Sequence, residues 1–217
     1  MIKGTFEVHL ITTPENQNKL FAYITNLKND KLIKIRPTCA NSFYGDCLVQ
    51  PMLTFWIHDN DDTVMKLVTE IKKDMELKGI TIIRVKIESM AHNIRVPQTC
   101  SADHYFEYHF KVDIQNTEEW NNLVKLCLPF GCHLFYNPYN KTMTPVCTIR
   151  NYFSFEDIAE SFNQLNKVLE DNKFAIHSIE REYSVYDSNV LLDHNWLFCN
   201  NNPREFITKL ETKMLCA

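Results

Sequence analysis

The chain is written twice. Phe6-Glu7-Val8-His9-Leu10 recurs as Phe106-Glu107-Tyr108-His109-Phe110, an offset of 100 residues. Further along the offset is 94: Leu53-Thr54-Phe55 matches Cys147-Thr148-Ile149, and Val64, Val68, Ile71 and Met75 match Ile158, Phe162, Leu165 and Leu169. Two copies of one unit, each carrying Glu-x-His at the same place, predict a pseudo-twofold axis with a cleft on it.

Each copy reads as β-α-β-β-α-β. Alternation marks strands at 5–12, 32–36, 51–58 and 80–89 in the first copy, with a loop over 37–50. Thr13-Pro14-Glu15 starts one helix, and Asp61 or Asp62 caps a second, which Gly79 stops. The second copy repeats this order: a strand at 105–114, a helix capped by Thr117, a hairpin-like pair over 131–153, a helix opened by Ser154, and a strand at 174–186. This order is the ferredoxin-like unit, an antiparallel sheet with both helices on one face. The expected fold is therefore α+β, with two tandem ferredoxin-like repeats over 1–90 and 104–186. A linker over 91–103 joins them, and a C-terminal tail over 187–217 carries a short helix with Phe206, Leu210 and Met214 inward.

Strand alternation also says what the uncovered sheet faces carry. Phe6, Val8, Leu10, Leu53, Phe55, Ile57, Ile83, Val85 and Ile87 point toward the helices. Glu7, His9, Ile11, Thr54, Trp56, His58, Arg84, Lys86 and Glu88 point away. The matching set in the second copy is Glu107, His109, Lys111, Thr148, Arg150, Tyr152, Glu180 and Glu182. The first strand lies between the third and fourth, so His9 neighbours Thr54 or Trp56 on one side and Lys86 or Glu88 on the other. His109 likewise neighbours Thr148 or Arg150 and Glu180 or Glu182. So many ionisable groups make either a solvated surface or the wall of a polar cleft between the copies. His58, His92, His104, His133, His177 and His194 have no counterpart, and surface or capping use is expected for them.

Composition removes several classes. With 23 basic and 27 acidic residues the net charge is −4, and no basic stripe breaks the balance, so bulk nucleic-acid binding is not expected. No leader-like segment and no long apolar run is present, which points to a cytoplasmic protein without membrane partners. The eight cysteines include no Cys-x-x-Cys pair and are expected as reduced thiols. There is no phosphate-cradling Gly loop and no Gly-x-Ser-x-Gly elbow.

Paired histidines suit acid–base chemistry, since an imidazole titrates near neutrality. His9 and His109 are the candidate catalytic pair. Lys86, Lys111, Arg150, Thr54, Thr148 and Trp56 are candidate substrate-binding groups, and Glu7 and Glu107 would steady the histidines. In its duplicated halves and paired histidines the chain resembles the two-histidine phosphoesterases, the group that includes RNA ligase-like cyclic phosphodiesterases. That resemblance implies a phosphoester or nucleotide-like substrate and no cofactor. It departs at the residue two places after each histidine, which is Ile11 or Lys111 where that family has Thr or Ser.

An alternative is a divalent metal held by His9, Glu88, His109 and Glu182, two imidazoles and two carboxylates. There the chain looks like the vicinal oxygen chelate enzymes, whose paired modules each give a first-strand ligand and a last-strand Glu, although their module order is βαβββ. The remaining alternative is a non-catalytic module that binds a small polar ligand or a partner.

Overall fold

The computed structural model describes residues 1–43, 45–101, 104–140 and 144–195. Eight antiparallel strands close into one barrel. They are β1 (Lys3–Thr12), β2 (Leu32–Ser42), β3 (Val49–Asn60), β4 (Ile82–Met90), β5 (Tyr105–Asp113), β6 (His133–Tyr136), β7 (Val146–Asn151) and β8 (Ala175–Asp187). Helices α1 (Gln17–Asn26), α2 (Asp61–Leu77), α3 (Thr117–Cys127) and α4 (Phe155–Asp171) lie between strands in the same order in each half. The strand order round the barrel is β1-β3-β2-β6-β7-β5-β8-β4. The architecture is thus α+β with an antiparallel sheet. No helix among the described residues is long and apolar enough to cross a membrane.

Two seams close the barrel. β4 pairs with β8 from Lys86↔Asp187 to Met90↔Glu182, while β2 meets β6 over only Asn41↔Tyr136 and Ser42↔Phe135. The open faces of both halves therefore curl inward and form one lumen. Eight strands leave an interior wide enough for side chains or one small ligand.

The helices cover the outside and hold the apolar core. Phe6, Val8 and Leu10 of β1, and Phe106, Tyr108 and Phe110 of β5, are fully buried against them. Val64, Val68, Ile71 and Met75 form the inner stripe of α2, and Ile158, Phe162, Leu165 and Leu169 that of α4. Phe162 stacks on Phe110 with centroids 4.1 Å apart. The 3.6-residue period read along the sequence is the period of these stripes.

Local details differ from expectation for identifiable reasons. β2 runs through Pro37 to Ser42, where a loop was expected. Only Asn41 and Ser42 pair with β6, so beside Pro37 one strand edge is open and the missing N–H is tolerated. Asn60, not Asp61 or Asp62, caps α2 by accepting from Thr63 N at 3.0 Å; the Asp61 carboxylate instead accepts from Ile2 N at 2.8 Å. Asn116 rather than Thr117 caps α3, accepting from Glu119 N at 2.9 Å. Ser154 caps α4 as expected. The β1–β4 register shifts between Ile11 and Thr12. As a result Ile82 packs with the helix-side core, and Ile83, expected there, joins Ile11, Ala40 and Met52. The terminal helix expected over Phe206, Leu210 and Met214 lies outside the described residues.

Candidate functional site

The lumen holds a cavity of about 450 Å³ lined from both halves, among others by Glu7, His9, Lys86, Glu88, Glu107, His109, Glu180 and Glu182. The ladder fixes the neighbours of each histidine: His9 lies opposite Thr54 and Lys86, and His109 opposite Thr148 and Glu180. His9 Nδ1 is 2.9 Å from Thr54 Oγ1, and His109 Nδ1 is 2.8 Å from Thr148 Oγ1. Each hydroxyl can accept from an Nδ1–H, which leaves the Nε2 lone pair for a ligand or a proton.

Both Nε2 atoms meet carboxylates. His9 Nε2 is 3.2 Å from Glu88 Oε2 and 3.6 Å from Glu7 Oε1. His109 Nε2 is 3.2 Å from Glu182 Oε2 and 3.5 Å from Glu107 Oε1. The two halves therefore build the same arrangement, and the arrangements touch: one donor atom from each of Glu88, His109 and Glu182 lies within 4.8 Å of the other two. Glu182 Oε1 is buried with no hydrogen-bond partner. Glu88 Oε1 lies 2.7 Å from Lys86 Nζ but off the hydrogen-bond direction, so it too is an incompletely satisfied acceptor.

Burial and charge set the protonation states. Burial first, then the Glu88 and Glu180 charges, hold the Glu182 carboxyl well above its ordinary value. Burial and Glu182 push Glu7 up to about 7. For Glu88 burial acts in the same direction, but Lys86 first, and then the neighbouring His9, outweigh it and keep the group below its ordinary value. Glu107 is likewise held low against its own burial, by Arg150 and Lys86. Carboxyls a few ångströms apart thus divide into charged and neutral members, as like charges in one low-dielectric site must.

The expected substrate-binding groups have other occupations. Lys86 Nζ bridges Glu107 at 2.6 Å and Glu88 at 2.7 Å. Lys111 pairs with Glu180 at 2.5 Å. Arg150 does not line the cavity: Glu107 and Asp193 hold it, at 2.6 and 2.9 Å. Thr54 and Thr148 are fully buried behind the histidines they orient. Trp56 is also off the cavity wall, and the cations of Lys34 and Arg36 on β2 lie over its ring, 5.1 and 4.8 Å from the centroid. His9, His109, Glu7, Glu107, Glu88 and Glu182 are brought together.

Other functional positions escaped the sequence reading. Asp193, in a short 3₁₀ turn after β8, is buried against Arg84 at 2.7 Å, Arg150 at 2.9 Å and Gln50 at 3.3 Å. Arg84 also grips Asp187, which accepts from Tyr105 Oη at 2.6 Å. No local pattern marks an acid in a tail as an interior residue. His177 is exposed, as expected, at the rim of the cavity, whereas His133 is fully buried on β6 beside Phe135 and is not a surface histidine. Inward alternation from Phe135 would have found His133. Tyr152, expected on the open face, is exposed and accepts from Arg150 at 3.3 Å.

No protein-family model matches the chain, and no curated protein matches it. Among solved structures it is similar to an anthrone oxidase-like protein, at 12% identity over 85% of this chain and 92% of that one, with a TM-score of 0.30. A chlorite dismutase-like protein is similar at 11% identity over 84% and 95%, with a TM-score of 0.26. Likenesses at this level carry no argument about chemistry, which rests on the lumen itself.

Proposed function

We propose that the chain is a pair of fused ferredoxin-like repeats, residues 1–90 and 104–186, whose joint lumen is a divalent-metal site acting on a small polar molecule. The repeat reading is supported by equivalent residues in equivalent roles: Thr54 and Thr148 behind the histidines, Asn60 and Ser154 as helix caps, Glu88 and Glu182 beside Nε2. The observation that carries the metal reading is the buried triad of Glu88, His109 and Glu182, whose donors converge while Glu182 Oε1 lacks any hydrogen-bond partner. His9, 3.2 Å from Glu88, is the natural fourth donor.

The donor chemistry fits. Imidazole with carboxylate suits zinc, manganese, iron(II) or nickel, and a cation between Glu88 and Glu182 would offset the burial, and the repulsion from Glu88, that otherwise hold Glu182 well above its ordinary value. Such an ion supplies a Lewis acid that polarises an oxygen of a bound molecule. The chain's own groups do the rest. Thr54 and Thr148 fix the imidazole orientations, Lys86 keeps Glu88 and Glu107 charged, and the barrel wall restricts water. A cavity of about 450 Å³ lies in the range that takes a small metabolite.

The test is metal affinity. Chelator-stripped protein titrated calorimetrically with Zn²⁺, Mn²⁺ and Fe²⁺ should take up one ion in the lumen. Glu182→Gln and His109→Ala should each weaken it at least about tenfold while circular dichroism stays unchanged. Wild-type protein that binds none of these ions ends the proposal.

The second reading is paired-histidine acid–base catalysis on a phosphoester, favoured by the two matched Thr–Nδ1 bonds that aim both Nε2 atoms into one space. Its difficulty is the shortage of anion-binding charge, since Lys86, Lys111 and Arg150 already serve carboxylates. Turnover of a cyclic phosphodiester that survives chelation and fails in both His9→Ala and His109→Ala would select it.

A further inference from the structure

A second cluster lies outside the lumen, on the helix side of β7. The sulfur atoms of Cys127, Cys132 and Cys147 all lie within 4.8 Å of one another, and all three residues are buried. They come from three separate elements: the last residue of α3, the loop beyond Gly131, and the inner ladder of β7 between Phe110 and Leu134. Cys132 Sγ donates to the His133 carbonyl at 3.6 Å.

A buried cysteine is ordinarily a small hydrophobe. Three at one point in one half of a repeated fold are harder to explain so. At offset 100 Cys127 corresponds to Leu27, and at offset 94 Cys147 corresponds to Leu53. His133 pairs with Thr148 as Arg36 pairs with Thr54, which makes Cys132 the counterpart of Ile35. The first half therefore fills this place with three aliphatic side chains, and the second with three thiols.

We propose that Cys127, Cys132 and Cys147 form a three-sulfur site for a thiophilic d¹⁰ cation such as copper(I) or zinc, separate from the lumen. A metal–sulfur bond of about 2.3 Å in trigonal geometry needs sulfurs about 4.0 Å apart, within an ångström of the observed limit. Soft thiolates select such ions over the oxygen-seeking ones that carboxylates hold. Binding releases the thiol protons, and the cation offsets the charge left in an apolar core. Cys127 closes a helix C-terminus, whose carbonyl end favours a cation. Cys132 follows Gly131, whose left-handed turn at φ 59° brings the chain back beside Cys127.

The experiment uses the full chain, reduced and metal-free, with Cd²⁺ and copper(I) as probes. A sulfur-to-metal charge-transfer band should saturate at one ion per chain. It should persist in Glu182→Gln and disappear in Cys132→Ser and Cys147→Val. Alkylation mapped by mass spectrometry checks the same point in wild-type protein. At free ion near 100 times its Kd, labelling of these three cysteines should slow about 100-fold, and that of Cys100 should not change. A missing band, a band unaffected by Cys132→Ser, or labelling unaffected by the ion overturns the proposal. So does protection that needs no ion and is reversed only by reductant, which would mean a disulfide pair.

Discussion

Lys86 offers the sharpest test of the lumen's electrostatics. Its ammonium lies 2.6 Å from Glu107 and 2.7 Å from Glu88, all three side chains being nearly inaccessible. At an effective dielectric of about 20, each contact is worth roughly 6 kcal/mol of Coulomb attraction, and desolvating the ions offsets several kcal/mol of that. The net worth of the pair is small, but the consequence of breaking it is not. Lys86→Met keeps the aliphatic stem and removes the charge. Glu107 retains Arg150, so the loss falls on Glu88, left with His9 alone. Removing one partner of a buried pair costs about 3–5 kcal/mol, and at about 2–4 °C per kcal/mol for a chain of this size Tm should drop by roughly 6–20 °C. Glu88 can limit the damage by taking up a proton, so the deficit should shrink as pH falls toward 5. The assay is thermal unfolding in chelator, with Lys86→Met/Glu88→Gln alongside. The double variant should recover more than half of the loss, because no buried charge is then orphaned. A single variant within about 2 °C of wild type, or a double variant no better than the single, would refute the reasoning.

Three further outcomes are expected. Thr148→Val removes the acceptor behind His109 without touching the lumen, and should lower affinity for the lumen ion about 10–100-fold in the calorimetric titration. Glu7 is raised from 4.5 to about 7, chiefly by burial. A raised carboxyl contributes stability that is full below its unfolded value and is lost as pH climbs through the folded one. In chelated protein, the unfolding free energy of Glu7→Gln relative to wild type should therefore grow by about 2–3 kcal/mol from pH 5 to pH 8, measured by urea titration. Ser154→Ala leaves the Asp157 N–H without its cap and should cost about 1 kcal/mol of stability by the same titration, with no effect on metal affinity.

Periodicity carried much of what could be read beforehand. An apolar stripe at 3.6 and an alternation at 2 are local signals, and they mark α2, α4, β1 and β5 because those elements bury one face. Antiparallel order narrowed the partners of His9 to Thr54 or Trp56 and of His109 to Thr148 or Arg150, and the ladder register selects the two threonines. The caps at Asn60 and Asn116 were missed because neighbouring Asp and Thr residues are equally good acceptors, and only backbone geometry decides among them. β2 was shortened at Pro37 because tolerance of a proline depends on whether a strand edge is paired, which is a long-range fact. Arg150, Lys111 and Lys86 were read as free cations, since their carboxylate partners sit 43, 69 and 21 positions away.

The repeated pattern alone determined the element order, the helix-covered faces, and a polar face on each half with one histidine at its centre, because these depend on side-chain spacing within single elements. Closure of the barrel was decided only in three dimensions. The β4–β8 and β2–β6 seams turn two open faces into one lumen, bring Glu88 to His109 and Glu182, and let Asp193 fold back onto Arg84 and Arg150. Such contacts balance loop-closure entropy against buried charge, and that balance has no signature in neighbouring residues.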